Sequence, residues 1–291
     1  MSVDGSVAEE PGAPKSQPLL VADGLERWFG GLRSVGVDHL EIETGHVTSL
    51  IGPNGAGKTT LFNLLTGFDR PQRGTTVFAG TDVSDWSAHR RARAGMVRTF
   101  QLTRSMTRLS VLENVKLAAP QQRGERLHRA PFSMTWKRQE DANDEKARIL
   151  LARFGLGKMV DEYAGTLSGG QRRLLELSRA LMLGPRLLML DEPMGGVNPA
   201  LRETIMAHLR QLGAEGATVL LVEHDMDMVM GVSDWVVCMA QGRVIAEGRP
   251  ETVATDPVVV DAYLGAGYRD RTAGAGGSRP VAANETGDER P

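Results

Sequence analysis

Hydrophobic and polar positions divide the chain into a regular succession of elements. Two strand-like runs come first, Leu19–Trp28 and Val35–Ile42, followed by the short apolar, β-prone run Val47–Ile51. Thr60-Leu61-Phe62-Asn63-Leu64-Leu65 then has a helical pattern, and Arg73–Phe78 and Met96–Phe100 read as further strands. Ser110-Val111-Leu112-Glu113 has the spacing of a capping box and predicts a helix through Ala119. A charged, helix-favouring segment covers Gln139–Phe154. Leu187–Leu190 and Thr218–Val222 read as buried strands on either side of a helix at Pro199–Leu212. Trp235–Met239 and Arg243–Glu247, separated by Ala240-Gln241-Gly242, read as a hairpin.

Apolar strands alternating with amphipathic helices predict an α/β fold with a mostly parallel sheet covered on both faces. The early β-rich stretch predicts an antiparallel addition. Residues from about 102 to 166 carry weak strand signals and predict a helical insert. Residues 1–17 and 266–291 have too little apolar surface to order themselves and read as disordered tails, leaving one domain over 18–265.

Composition narrows the possibilities. The chain has 34 Lys+Arg against 36 Asp+Glu, a net charge of −2, which argues against a surface that coats nucleic acid. Its single cysteine, Cys238, cannot form an internal disulfide and sits in an apolar run, as a small buried hydrophobe would. No stretch approaches the roughly 18 apolar residues needed to span a bilayer, and the first residues lack a signal-peptide core. The expected location is the cytoplasm, with any membrane-spanning part supplied by another polypeptide.

Three short motifs carry the chemistry. Gly52-Pro53-Asn54-Gly55-Ala56-Gly57-Lys58-Thr59 fits the phosphate-binding loop of nucleotide hydrolases. Its glycines let successive backbone amides turn toward one anion, and Lys58 adds a point charge. A strand before it and a helix from Thr60 after it are the context the motif needs, because helical amides then face the phosphates. The second motif is Leu187-Leu188-Met189-Leu190-Asp191-Glu192-Pro193, in which two carboxylates emerge at the C-terminal end of a buried strand. Ligand sites of open α/β sheets lie at that end. Thr59 and Asp191 are suited to hold Mg²⁺, and Glu192 to reach a water lined up on a γ-phosphate. The third is Leu167-Ser168-Gly169-Gly170-Gln171, where Ser168 caps a helix whose first amides stay open to an anion. Leu174, Leu177 and Leu181 give that helix one apolar face.

The Leu-Ser-Gly-Gly-Gln string resembles the signature of the ATP-binding subunits of ABC transporters, and the likeness covers about Leu19 to Gly265. It implies a P-loop NTPase cassette, a Mg²⁺-dependent ATP hydrolase with a core sheet, an antiparallel β subdomain and a helical subdomain. It also implies roles for single residues. Phe29 would stack on adenine, with Thr60 among the loop residues on the nucleotide. Gln101, after Val97-Arg98-Thr99-Phe100, would touch metal and attacking water and relay their state to the helical insert. His224, after Leu220-Leu221-Val222-Glu223, would contact the γ-phosphate. Asp225 reads as a helix cap or loop organiser. The resemblance implies two subunits meeting head to tail. Each ATP would lie between Lys58 of one copy and Ser168 and Gly170 of the other. Arg104, Met106 and Leu109 fall where the family docks a transmembrane permease.

Six runs resemble the ATPases of branched-chain amino acid importers: Arg27-Trp28-Phe29-Gly30-Gly31-Leu32, Val97-Arg98-Thr99-Phe100-Gln101, Val111-Leu112-Glu113-Asn114-Val115, Gly195-Gly196-Val197-Asn198-Pro199, Glu223-His224-Asp225-Met226 and Ala262-Tyr263-Leu264-Gly265. The partners so implied are permease subunits, a second ATPase of the same or a related chain and, indirectly, a solute-binding protein. No nucleic acid is implied. The place of work would be the cytoplasmic face of the inner membrane. ATPases of urea or amide importers and of lipopolysaccharide export share much of the pattern. A soluble ABC-type ATPase unlinked to transport is a reading of a different class. One position departs from the family: Asn198 stands where many members carry Asp, which removes a charge but keeps a hydrogen-bonding side chain.

Overall fold

The structure, a computed structural model, describes residues 9–99, 106–120 and 133–264, the side chains of 133–136 excepted. Its elements in chain order are β1 (Pro18–Phe29), β2 (Leu32–Glu43), β3 (Val47–Ile51), α1 (Lys58–Thr66), β4 (Arg73–Phe78), β5 (Thr81–Asp82), α2 (Ala88–Arg93), β6 (Met96–Arg98), α3 (Val111–Lys116) and α4 (Ser133–Arg153). They continue with α5 (Gly169–Met182), β7 (Leu187–Asp191), α6 (Pro199–Ala214), β8 (Thr218–Val222), α7 (Met226–Val232), β9 (Trp235–Ala240), β10 (Arg243–Gly248) and α8 (Pro250–Thr255). A further helix, α9, covers residues 257–264, the last of the described residues.

The core sheet has the order β10-β9-β3-β8-β7-β6. Its strands are parallel except for the β9–β10 hairpin at one edge. β3, β7 and β8 are buried at every position, which is why they are apolar without alternation. The hairpin closes through Gln241 and Gly242, both at positive φ, as a two-residue turn between twisted strands requires. The second sheet, β2-β1-β4-β5, is antiparallel and packs over α1 through Leu20, Leu40, Leu61 and Phe62. α3, α4 and α5 pack together, burying Val111, Leu151, Phe154, Leu174 and Leu177 in one cluster that also takes in Leu188 and Leu190 of β7. Leu181, the third residue of the predicted face, is only partly buried against it.

Local chemistry fixes several boundaries. Ser110 Oγ accepts from Glu113 N at 3.1 Å and Glu113 Oε2 accepts from Ser110 N at 2.7 Å, the reciprocal pair expected at the start of α3. Asn114, fully buried one turn on, donates to the carbonyls of Met106, Leu109 and Ser110 and so shapes residues 106–110. α4 starts at Ser133, earlier than the charged pattern from Gln139 suggests, and β6 ends at Arg98, short of Phe100. Cys238 is buried and its thiol is pushed up to about 12 by desolvation, consistent with a packing role.

The N-terminal segment departs from expectation. Ala13 and Lys15 are buried, although the composition of residues 1–17 reads as a solvated tail. Lys15 Nζ lies 2.5 Å from Glu247 Oε1 and 4.0 Å from the centre of the Trp235 ring. Glu247 also accepts from Gly12 N at 3.0 Å and from Trp235 Nε1 at 2.9 Å. The partner that orders Lys15 lies 232 residues away, beyond the reach of any local pattern. A Lys15→Met substitution keeps the stem over Trp235 but removes the charge facing Glu247. The expected loss is about 2 kcal/mol, the scale of a charged hydrogen bond, read from urea unfolding. A change below about 0.5 kcal/mol, the usual scale of surface substitutions, would mean the segment is not anchored by this pair.

Among the described residues, no helix is long and apolar enough to cross a membrane.

Candidate functional site

The loop between β3 and α1 is pressed against its neighbours so closely that side chains are excluded. A Cβ on Gly52, at φ +144°, would fall 2.1 Å from Met239 O, and one on Gly57, at φ +100°, 2.5 Å from Ser34 O. Only glycine tolerates both the close approach and the positive φ. Gly57 is the N-cap of α1 and supplies no capping side chain, and no acidic residue occupies the first turn. The first amides of α1 are therefore free of a side-chain cap, at the positive end of its dipole. Lys58 is buried and turns back along the loop, donating to Gly52 O at 2.6 Å and Pro53 O at 3.1 Å. Burial lowers its pKa, partly opposed by the charge of Glu192. Asn54, Gly55 and Thr59 are exposed; Pro53 and Thr60 are half-buried, the latter with its Oγ1 3.0 Å from Ser34 Oγ. Ala56 is buried, its carbonyl accepting from Gly242 N at 2.9 Å.

The acidic pair stands two strands away. Asp191, the last residue of β7, is 3 % exposed; its Oδ2 lies 2.7 Å from Arg98 Nη2. Its other oxygen, Oδ1, is buried without a hydrogen-bond partner. Unpartnered buried carboxylate oxygens are costly, so Oδ1 is suited to meet a cation or its water shell. Arg98 is itself held by Asn63 Oδ1 at 2.5 Å and lies over the rings of Phe62 and Phe68 at 4.8 and 5.3 Å. Glu192 follows at φ +44°, a left-handed conformation rare outside glycine. Such strain is held in place by surroundings and concentrates at functional sites. Its amide donates to Val222 O at 3.1 Å, while its side chain is only half-buried.

His224 follows β8 with a side chain 61 % exposed, beside the almost fully buried Glu223. Glu223 accepts from Met194 N and from its neighbour His224 N, both at 3.3 Å, and burial raises its pKa. Asp225 caps α7 by accepting from Met228 N at 3.3 Å, and also pairs with Arg202. In the sheet, β3 pairs with β8 and β8 with β7. The phosphate-loop motif, His224 and the Asp191-Glu192 pair thus leave the C-terminal ends of three adjacent parallel strands, each about 4.8 Å from the next. That edge is where open α/β sheets bind ligands.

Ser168 and its helix belong to the α3–α5 body, not to that edge. Ser168 Oγ accepts from Gln171 N at 3.2 Å, and Gln171 Oε1 accepts from Ser168 N at 2.9 Å. Gln171 is therefore engaged in the capping box, while Ser168 and Gly169 are exposed and Gly170 is half-buried. Asn198 caps α6, its Oδ1 accepting from Leu201 N at 2.9 Å, a task for which an amide serves as well as a carboxylate. Phe29 ends β1 half-exposed, with the Arg27 guanidinium 4.6 Å from its ring centre. Gln101 and Arg104 lie outside the described residues; Met106 is exposed and Leu109 half-buried. Sequence reasoning passes over Arg98 and Glu223. The one signal for Glu223 is a carboxylate directly after a buried apolar run. Arg98 stands out only once Asp191 is seen beside it.

The chain is similar to known proteins. A family model described as ABC transporter matches residues 36–195, and one described as branched-chain amino acid ATP-binding cassette transporter matches residues 243–269. The high-affinity branched-chain amino acid transport ATP-binding protein BraF of Pseudomonas aeruginosa is 41 % identical over 252 residues, covering 86 % of this chain and 99 % of BraF. The probable branched-chain amino acid transport ATP-binding protein LivG of Archaeoglobus fulgidus is 40 % identical over 248 residues, 85 % of this chain and 96 % of LivG. Among solved structures, the ADP conformation of an ATP-binding cassette of an ABC transporter matches with a TM-score of 0.74 at 36 % identity, over 86 % of this chain and all of that one. The chain belongs to the ABC transporter family, as one of its ATP-binding cassettes.

Proposed function

We propose that the chain hydrolyses ATP at the cytoplasmic face of a membrane to power an importer of branched-chain amino acids. The observation that carries the reading is the convergence of Lys58, Asp191, Glu192 and His224 on three neighbouring strand ends. The amino acid cargo is supported by the transport roles of BraF and LivG and by the match over residues 243–269. The urea, amide and lipopolysaccharide alternatives gain no comparable support.

In this reading ATP lays its phosphates along residues 52–60, with Lys58 and the first amides of α1 as their counter-charge. Thr59, Asp191 and Gln101 would hold Mg²⁺, and the unpartnered Asp191 Oδ1 fits that assignment. When bound, the ion neutralises charge on the phosphates. Glu192 accepts a proton from water as its oxygen bonds to the γ-phosphorus and the bond to the bridging oxygen breaks. His224 stabilises charge on the γ-phosphoryl oxygens. Phe29 offers an exposed ring to the adenine. Ser168, Gly169 and Gly170 present a helix start to the ATP of a second cassette, of the same or a related chain, with Gln171 fixing that start through its capping bond. The half-exposed stretch at Met106–Leu109 serves as the permease contact, and the solute-binding protein acts through the permease.

Affinity purification of the full chain from detergent-solubilised membranes tests this. A co-purifying integral membrane permease is the expected result. Recovery with ribosomes or DNA and no membrane protein would overturn it.

A further inference from the structure

The C-terminal helix reaches the phosphate loop through one side chain. Tyr263, on α9, accepts from Gly52 N through its hydroxyl at 2.9 Å, across 211 residues of sequence. Its ring packs on the cluster of Ile51, Val236, Cys238, Val253 and Val259, which closes the far side of β3 and β9. Burial pushes the phenol up to about 12, so it stays neutral at ordinary pH. Gly52 is the pivot of the loop. Its amide continues β3 at the last pairing, Ile51 with Cys238, and its carbonyl accepts from Lys58 Nζ. At φ +144° and without a side chain, its peptide is positioned through its backbone groups alone.

We infer that Tyr263 is a positioning residue for the phosphate loop: it holds the Gly52 peptide and thereby sets the affinity of the Lys58 cradle for nucleoside triphosphate. Order in the C-terminal helix and occupancy of the loop are then linked. A contact that favours the binding-competent loop must itself be favoured by the bound ligand. Tyr263 bonds to the loop backbone at Gly52, so its effect falls on binding and not on the chemical step.

The inference rests on the phosphate-loop reading above. The test is steady-state ATP hydrolysis by the full chain in its transporter complex, comparing Tyr263→Phe, Val259→Ala and Lys58→Ala. Tyr263→Phe keeps the ring and removes only the hydroxyl. The expected result is a KM for ATP raised about 3- to 10-fold with kcat within about twofold, the worth of one net hydrogen bond. A structural role alone would shrink the active fraction, lowering kcat at unchanged KM. Val259→Ala loosens the same cluster without touching Gly52 and should leave KM in place. A Tyr263→Phe KM within twofold of the parent, or an equal rise in Val259→Ala, overturns the inference. A Lys58→Ala enzyme with the parent KM overturns the phosphate-loop reading instead.

Discussion

Glu192→Gln is expected to slow ATP hydrolysis about a thousandfold while leaving ATP bound. A positioned general base contributes on the order of 10²- to 10⁴-fold, so a thousandfold loss corresponds to about 4 kcal/mol of barrier. The amide matches the carboxylate in shape but cannot take the proton from the attacking water. The backbone that aims it is set by neighbours: the Glu192 amide is held by Val222 O, and its φ of +44° comes from the turn after β7. The swap therefore leaves the geometry in place. Binding should not suffer. A negative charge close enough to affect Lys58 is removed from beside a site that receives an anion. Two cassettes held together by uncut ATP should then persist, and size-exclusion chromatography with ATP would show them. Hydrolysis within tenfold of the parent would mean Glu192 is not the base.

The parts of the site that are local in sequence were legible in it. The phosphate loop, its flanking strand and helix, the capping box at Ser110 and the caps at Ser168 and Asp225 are each set by residues within a few positions of one another. Buried strands announce themselves by unbroken apolar runs, so β3, β7 and β8 could be read as buried strands, and with them the α/β class. What escaped is contact between distant segments. Lys15 meets Glu247, Arg98 meets Asp191 and Tyr263 meets Gly52 only after the sheet has formed. In the unfolded chain each is a charged or polar residue in unremarkable surroundings. Residues 12–17 look solvated for the same reason: their order comes largely from distant carboxylates, Glu247 on β10 and Glu41 on β2. Asn198 is the reverse case. As a departure from the family it removes a charge, whereas in the fold its amide satisfies a helix start.

Lys58→Ala is expected to weaken ATP binding at least about a hundredfold. Truncating one partner of a buried, hydrogen-bonded charge pair costs about 2–5 kcal/mol, and about 2.7 kcal/mol is a hundredfold in Kd. Lys58 is 8 % exposed and reaches the loop carbonyls of Gly52 and Pro53 from inside. An ammonium has three donors, so two are taken and one remains for a phosphate oxygen. Alanine leaves both carbonyls without this donor and the triphosphate without its nearest cation. Lys58→Arg should rescue poorly, because a planar fork cannot follow the compact curve that lets Nζ reach both carbonyls. The pH dependence has a definite sign. Burial lowers the lysine pKa, so the neutral form appears below the ordinary lysine range as pH rises. Binding needs the cation. Affinity should therefore fall as pH rises, at a lower pH than an exposed lysine would titrate, and the Lys58→Ala chain should lack that component. Calorimetric titration with ATP across pH measures both effects. A Kd for Lys58→Ala within threefold of the parent would overturn the phosphate-loop reading.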